Sequence, residues 1–320
     1  MLQETGTAEV NGAGIYYEVA GEGGPLVLVH AGIADSRMWD DQLAAFADHY
    51  RVIRYDMRGF GRTAMVEGSY SHHEDLRGLL DFLGVERAHL VGCSMGGGAV
   101  LDFALEYPQR AGNLVLVGSA VGGFRPDFDP PSQWDELVAA DEAGDLERVS
   151  ELEVQIWVVG PERSPEDVDP SVRNFVREMN LIALKNEASG LGEEWEPEPP
   201  AADRLPDIQA PTLLIVGDED QPRSSRLPTC SRESSRTRAG SSCQARPTCP
   251  TWSGPRSSTG SCWIFWKTSG KGRRSLRLEN LHPHRCFGLT CQTEPLCRGQ
   301  REVEVAACYV GTPVRNGYPH

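Results

Sequence analysis

The stretch "HLVGCSMGGGAVLDFALEYP" constrains this chain more than any other. It places Gly92-Cys93-Ser94-Met95-Gly96, a G-x-S-x-G, directly after a short apolar run and directly before a helical pattern. A chain that passes from strand to helix in so few residues must turn sharply. Glycines on either side of Ser94 permit that turn and hold the hydroxyl at the mouth of a sheet, where a substrate can reach it. A glycine-rich turn without chemistry would use the same glycines, but the strand before and the helix after favour a nucleophile.

Runs of the same kind recur along the first two thirds. "GIYYEVAG" alternates apolar and polar residues, and "PLVLVHAG" is a short continuous apolar run closed by Gly, as expected of a strand buried on both faces. "RVIRYDMRGFGRT", "AHLVGCSMGG", "NLVLVGSA" and "PTLLIVGDED" repeat the type. Between them lie helical patterns such as "HHEDLRGLLDFLG", with Leu76, Leu79, Leu80 and Leu83 on one face. This alternation predicts an α/β fold, a mostly parallel central sheet flanked by helices, with functional loops at the carboxyl ends of the strands.

Composition changes abruptly near Pro222. Residues 1–222 hold 41 Asp and Glu against 15 Lys and Arg, a balance of −26, whereas residues 223–320 hold 5 against 16, or +11. Eight of the nine cysteines also follow Pro222. No run of about 20 apolar residues exists, and the opening "MLQETGTAEVNG" lacks the basic and apolar regions of a signal peptide. A cytoplasmic protein without a membrane partner is the expectation.

Around Ser94 the chain resembles the α/β-hydrolase superfamily, from about residue 8 to residue 222. "VLVHAGIADSRMW" is similar to the family's His-Gly loop after the third strand, with Ala31 where the family usually has Gly. The resemblance implies an oxyanion hole made by the N–H of Gly32 and the N–H of Met95, with Ala31 and Ile33 as alternatives to Gly32. Such fixed donors are commonly worth ~2.7–4 kcal/mol of barrier. "YDMRGFGRT" resembles the family's D-x-R-G-x-G-x-S stretch with Thr63 last, and Asp56 and Arg58 read there as a hydrogen-bonded turn rather than as catalysts. "GDED" follows the strand "PTLLIV", and the family pattern selects Asp220 as the triad acid, with Asp218 second.

Residues 122–202 interrupt the alternation with Trp134, Trp157, Trp195 and helical patterns such as "SVRNFVREMNLIALKNEA". The resemblance implies a helical cap there, between core segments 1–121 and 203–222, that excludes water and shapes the pocket. Trp157 and Met179 are its candidate pocket residues, set against plain helix packing. Cys93 is expected to point away from Ser94 as a small buried hydrophobe. His30 and His89 are expected in packing or loop hydrogen bonds, and His72 and His73 on a solvated opening turn.

The family order Ser, Asp, His requires a general base after Asp220, because the serine hydroxyl needs an acceptor for its proton. Only His282, His284 and His320 follow, and "LHPHRCFG" has none of the family's Gly-His context. The tail instead reads as the right gene in a shifted frame. Trp has the single codon TGG, so the shifted codons after Trp263 and Trp266 are GAT and GAA, Asp and Glu. With G or C at most free third positions, residues 246–268 become A-H-L-P-N-L-E-R-P-E-E-F-N-R-L-V-L-D-F-L-E-D, a His followed by a loop and an amphipathic last helix. As written, residues 223–320 are expected to be disordered or poorly packed. A basic nucleic-acid arm or a zinc site through "HPHRC" fits less well, since the segment lacks a repeated dipeptide and a C-x-x-C pair.

The expectation is therefore a capped serine hydrolase without metal or other cofactor, taking a small-molecule substrate and no nucleic acid. Within the superfamily the G-x-S-x-G turn at Gly92–Gly96, a nucleophile elbow, and the "HAG" loop look most like 3-oxoadipate enol-lactonases and related esterases. A carbon-carbon bond hydrolase and a cofactor-free haloperoxidase-like enzyme are the alternatives on the same scaffold. From another class, the written chain could be a catalytically dead binding protein or a pseudogene product.

Overall fold

The computed structural model describes residues 2–124, 130–215, 262–267 and 273–278. The chain starts with strands β1 (Leu2–Val10), β2 (Ala13–Ala20) and β3 (Gly24–Val29), a 3-10 turn at Ser36–Trp39, helix α1 (Asp40–Ala47) and strand β4 (Tyr50–Tyr55). Then come β5 (Ser69–Tyr70), α2 (His72–Phe82), β6 (Ala88–Cys93), α3 (Met95–Glu106) and β7 (Ala111–Val117). Next are α4 (Trp134–Glu142), α5 (Leu146–Val154), a π-helical turn (Gln155–Val159), α6 (Pro170–Glu187), β8 (Glu193–Glu194), α7 (Ala201–Arg204) and β9 (Thr212–Ile215).

Seven strands form one sheet in the order β1-β2-β4-β3-β6-β7-β9. The pairs β1·β2 and β2·β4 are antiparallel, and the other four are parallel. Every strand read from an apolar run is found within this sheet. Central strands such as β3, with Leu26, Val27, Leu28 and Val29 all at 1% exposure or less, are covered on both faces, which is why they read as continuous rather than alternating apolar runs.

Helix α2 forms as its leucine spacing predicts. Leu76, Leu79 and Leu80 are fully buried against the sheet, each contributing about 1.5–3 kcal/mol of burial, and Leu83 closes the helix at its C-cap. The segment between β7 and α7 carries α4, α5 and α6, whose own core joins Leu137, Ala140, Val149, Leu152, Ile156 and Leu184. This insertion is tied to the sheet's loops. Arg37 pairs with Glu178 at 2.7 Å, and Asn186 Nδ2 donates to the Gly59 carbonyl at 2.9 Å.

In the tail, β10 (Cys262–Lys267) and β11 (Arg273–Leu278) pair antiparallel as a separate two-stranded sheet. The rest of residues 223–320, expected to be disordered or poorly packed, lies outside the described residues, and so do Asp218 and Asp220. Among the described residues no helix is long and apolar enough to cross a membrane.

Candidate active site

Ser94 stands between the end of β6 and the start of α3, in a backbone conformation at φ 51° and ψ −118°. L-residues rarely hold a positive φ, and it persists here because the surrounding backbone fixes it. The Ser94 N–H donates to the Val117 carbonyl at 2.9 Å, while the Ser94 carbonyl accepts from Gly97, Gly98 and Ala120. The flanking glycines are needed for space. A Cβ on Gly96 would collide with the backbone carbonyls of His30 and Val29, and one on Gly92 with the Gly96 carbonyl. Strand register then sets the neighbourhood, with Gly92 opposite Val29 and Cys93 opposite Val117. The loop after β3 therefore lies directly beside the elbow.

That loop is held by His30, which is wholly buried. Its Nδ1–H donates to the Ala31 carbonyl at 2.8 Å, and its Nε2 accepts the Met57 N–H at 2.9 Å, which specifies the neutral Nδ1–H tautomer. Burial pushes its pKa down. A folded state that keeps this ring neutral loses stability as pH falls below the unfolded value of about 6.5. His30 is thus a loop-tying residue, whereas His89 joins β6 to β7, its Nδ1 accepting the Asn113 N–H at 3.0 Å.

Gly32 lies against Met95, where a Cβ added to it would be 3.3 Å from the Met95 sulfur. Among the described residues no hydrogen bond engages the N–H of Gly32, Ile33 or Met95, whereas the Ala31 N–H donates to Met38 Sδ at 3.2 Å. Met95 is the first residue of α3, where N–H groups have no intrahelical acceptor and the helix dipole favours negative charge. An oxygen that becomes anionic near Ser94 would meet such donors.

Over this loop sits an apolar cluster of Ala31, Ala34, Val154, Val176 and Met179, with Ile33, Met38, Cys93 and Val158 packed against it. Met179, 1% exposed, thus reaches the loop after β3. Trp157 packs instead on the insertion's own core, because the π-helical turn sends it toward Leu184 and its neighbours while Val158 faces the loop. Sequence reading passed over Val154, Val158 and Met38, and no local pattern marks them. A cleft of about 470 Å³ also opens in the insertion, lined by Gln133, Arg148, Val154, Arg173 and Arg177 among others. Its charges are largely satisfied within the insertion: Arg148 pairs with Glu136 and Glu151, and Arg177 with Glu147.

The D-x-R-G-x-G stretch is structural, as its residue types suggest. Asp56 accepts the N–H groups of Ser36 and Arg62, at 2.9 and 2.8 Å. Arg58 forms a doubly hydrogen-bonded pair with Asp75, and Thr63 Oγ1 accepts the Tyr16 N–H at 2.9 Å. The expectation for His72 and His73 is corrected, since both are buried. Residues 193–195 fold over this end of α2, with Glu193 N–H bonding the Gly68 carbonyl and Trp195 N–H the Tyr70 carbonyl. His72 Nε2 comes to 3.6 Å from Glu194, and the His73 ring meets Trp195 edge-on at 5.2 Å. A partner so far along the chain leaves no local signal.

On α3, about two turns beyond Ser94, the Asp102 carboxyl is pushed up to about 7 by burial first and then by Glu196, Glu194 and Glu106, with Arg204 opposing. Its folded pKa lies above the unfolded value of about 3.9, so its contribution is fully present below that value and lost as pH rises through about 7. Asp102→Asn should stabilise the chain by about 1–3 kcal/mol at pH 8 and change little near pH 4. Urea unfolding at the two pH values tests this, and an equal effect at both would contradict it.

Among the described residues no group of His, Cys, Asp and Glu has the arrangement to hold a metal ion.

Comparison with known proteins matches residues 24–224 to the family described as alpha/beta hydrolase fold. A 2-hydroxy-6-oxo-6-phenylhexa-2,4-dienoate hydrolase of Comamonas testosteroni is 30% identical over 220 residues, covering 65% of this chain and 75% of that protein. A 2-hydroxy-6-oxononadienedioate/2-hydroxy-6-oxononatrienedioate hydrolase of Paraburkholderia phymatum is 33% identical over 221 residues, with the same coverage. Among solved structures, the enol-lactonase from Burkholderia xenovorans LB400 superposes with a TM-score of 0.53 at 25% identity, over 66% of this chain and 81% of that one.

Proposed function

Because the chain belongs to the α/β-hydrolase fold family, an enzyme family of hydrolases, we propose that Ser94 is its nucleophile and that it cleaves a small ester or lactone through an acyl-enzyme. The observation that carries this reading is the strained Ser94 conformation beside the two unengaged N–H groups of Gly32 and Met95. In the proposed reaction the Ser94 oxygen attacks a carbonyl carbon as its proton passes to the general base, and the carbonyl oxygen becomes anionic against those N–H groups. The acyl C–O bond then breaks with that proton delivered to the leaving oxygen, and water hydrolyses the acyl-enzyme. The insertion acts as the cap, and Met179, Val154 and Val158 form the wall that faces the acyl group, with Trp157 behind them.

Asp220 is assigned as the triad acid. The general base is assigned to the His encoded in the shifted frame across Pro247 and Thr248, since His282, His284 and His320 lack the family context. Without that base the written chain keeps the nucleophile and the oxyanion donors and loses the acceptor of the serine proton.

A second substrate reading comes from the relatives. The curated relatives at 30% and 33% identity bear the names of 2-hydroxy-6-oxo-dienoate hydrolases, whereas the enol-lactonase stands at 25%. Carbon-carbon cleavage would use the same nucleophile and oxyanion donors on a ketone. A substrate panel separates the two: p-nitrophenyl esters and enol-lactones against 2-hydroxy-6-oxo-dienoates, with the frame-restored chain. Turnover of the first group is expected, and turnover of the dienoates alone would replace the ester or lactone reading.

A further inference from the structure

We propose that Met38 is a positioning residue of the oxyanion loop, its thioether deciding which backbone N–H faces the reacting carbonyl. The inference rests on the assignment of Ser94 as nucleophile and names the device that orients the donor beside it.

The Ala31 unit is held at both its polar ends. Its N–H donates to Met38 Sδ at 3.2 Å, and its carbonyl accepts from His30 Nδ1 at 2.8 Å and from the Ala34 N–H at 3.0 Å. In a trans peptide the carbonyl of one residue and the N–H of the next point in opposite directions. The Ala31 carbonyl is aimed at His30 and Ala34, so the Gly32 N–H is aimed the other way, free of any acceptor among the described residues. The Ala31 N–H would be the competing donor, and the sulfur holds it. A buried backbone N–H needs an acceptor, and even a weak one such as a thioether fixes its direction when nothing else competes.

Met38 is itself anchored. Its N–H donates to the Asp35 carbonyl at 3.0 Å, and its half-buried side chain packs both on the cluster with Ala31 and Met179 and on the one with Trp39 and Phe46. An unbranched thioether suits this junction, since it can reach the Ala31 N–H while filling irregular space.

The test compares Met38→Leu with the unchanged full chain by amide hydrogen exchange and by acetate titration in a ¹H–¹⁵N correlation experiment, neither of which needs turnover. Leu conserves volume but offers no acceptor. Acetate serves as a small oxyanion. In the unchanged chain the Gly32 and Met95 amides are expected to shift together with acetate. In Met38→Leu the Ala31 amide is expected to exchange at least about tenfold faster and the acetate affinity to fall about fivefold or more. Met38→Gln, which returns an acceptor at similar reach, is expected to recover both. A residue that merely packs would leave exchange and affinity unchanged in Met38→Leu, and that result overturns the inference alone. If acetate moves neither amide in the unchanged chain, the assignment of the oxyanion donors falls, and the inference falls with it. Should Met38→Leu fail to fold, Met38→Ile, likewise without an acceptor, takes its place: faster Ala31 exchange with weaker acetate binding supports the role, and both unchanged contradicts it.

Discussion

Asp75→Ala is expected to destabilise the chain by about 3–5 kcal/mol, one of the two largest effects anticipated here. Arg58 and Asp75 are each 1% exposed in their side chains, and they meet through two hydrogen bonds of 2.9 Å. Arg58 also donates to the Asn11 carbonyl, Asn11 Nδ2 donates to Asp75, and the guanidinium lies 4.9 Å from the centre of the Tyr70 ring. Removing the carboxylate strands a guanidinium that has no route to water. A buried pair of this kind gives little net stability over an apolar replacement, because both ions were desolvated to form it, so the cost comes from breaking it one-sidedly. The double change Arg58→Met with Asp75→Leu should therefore recover most of the loss. Urea unfolding of the single and double variants measures this. A loss below about 1 kcal/mol in Asp75→Ala, or a double variant no better than the single, would contradict the account.

The same pair shows where sequence reading stops. The residue types in "YDMRGFGRT" correctly marked a hydrogen-bonded turn, but Asp75 stands inside a helix whose leucines gave the only pattern, and nothing local names it as the partner. Helix α2 was legible because its apolar spacing answers to one flat sheet. Its first turn was not, because His72 and His73 are covered by residues 193–195, a contact decided by the insertion's return path. The buried strands were legible for the opposite reason. Covered on both faces, they take mostly apolar residues, the buried Arg54–Glu18 pair on β4 and β2 being an exception, and that preference is written locally.

In the site, the turn at Ser94 could be read because its steric requirements fall on five consecutive residues. Ser94 needs a positive φ, and Gly92 and Gly96 make room for neighbouring backbone. Gly32 and Met95 were named from family likeness, and in the fold the two residues lie against each other. Met38 and Val158 were missed, since a sulfur accepting an N–H and a valine directed by a π-helical turn are products of packing. Asp220, the acid chosen from "GDED", lies outside the described residues.

Labelling Ser94 with a fluorophosphonate is the most direct test of the central claim, that this serine is a nucleophile whose general base is encoded in the shifted frame. A fluorophosphonate reads the activated oxygen itself and needs no knowledge of the substrate. The chain restored to the shifted frame after Pro222 is expected to gain one adduct, mapped to Ser94 by mass spectrometry and absent from Ser94→Ala. The written chain is expected to react more slowly by ~10⁴-fold or more, because losing one member of a nucleophile-base pair removes most of its activation. An adduct that persists in Ser94→Ala would contradict the nucleophile assignment, and a written chain that labels as fast as the restored one would contradict the assignment of the base.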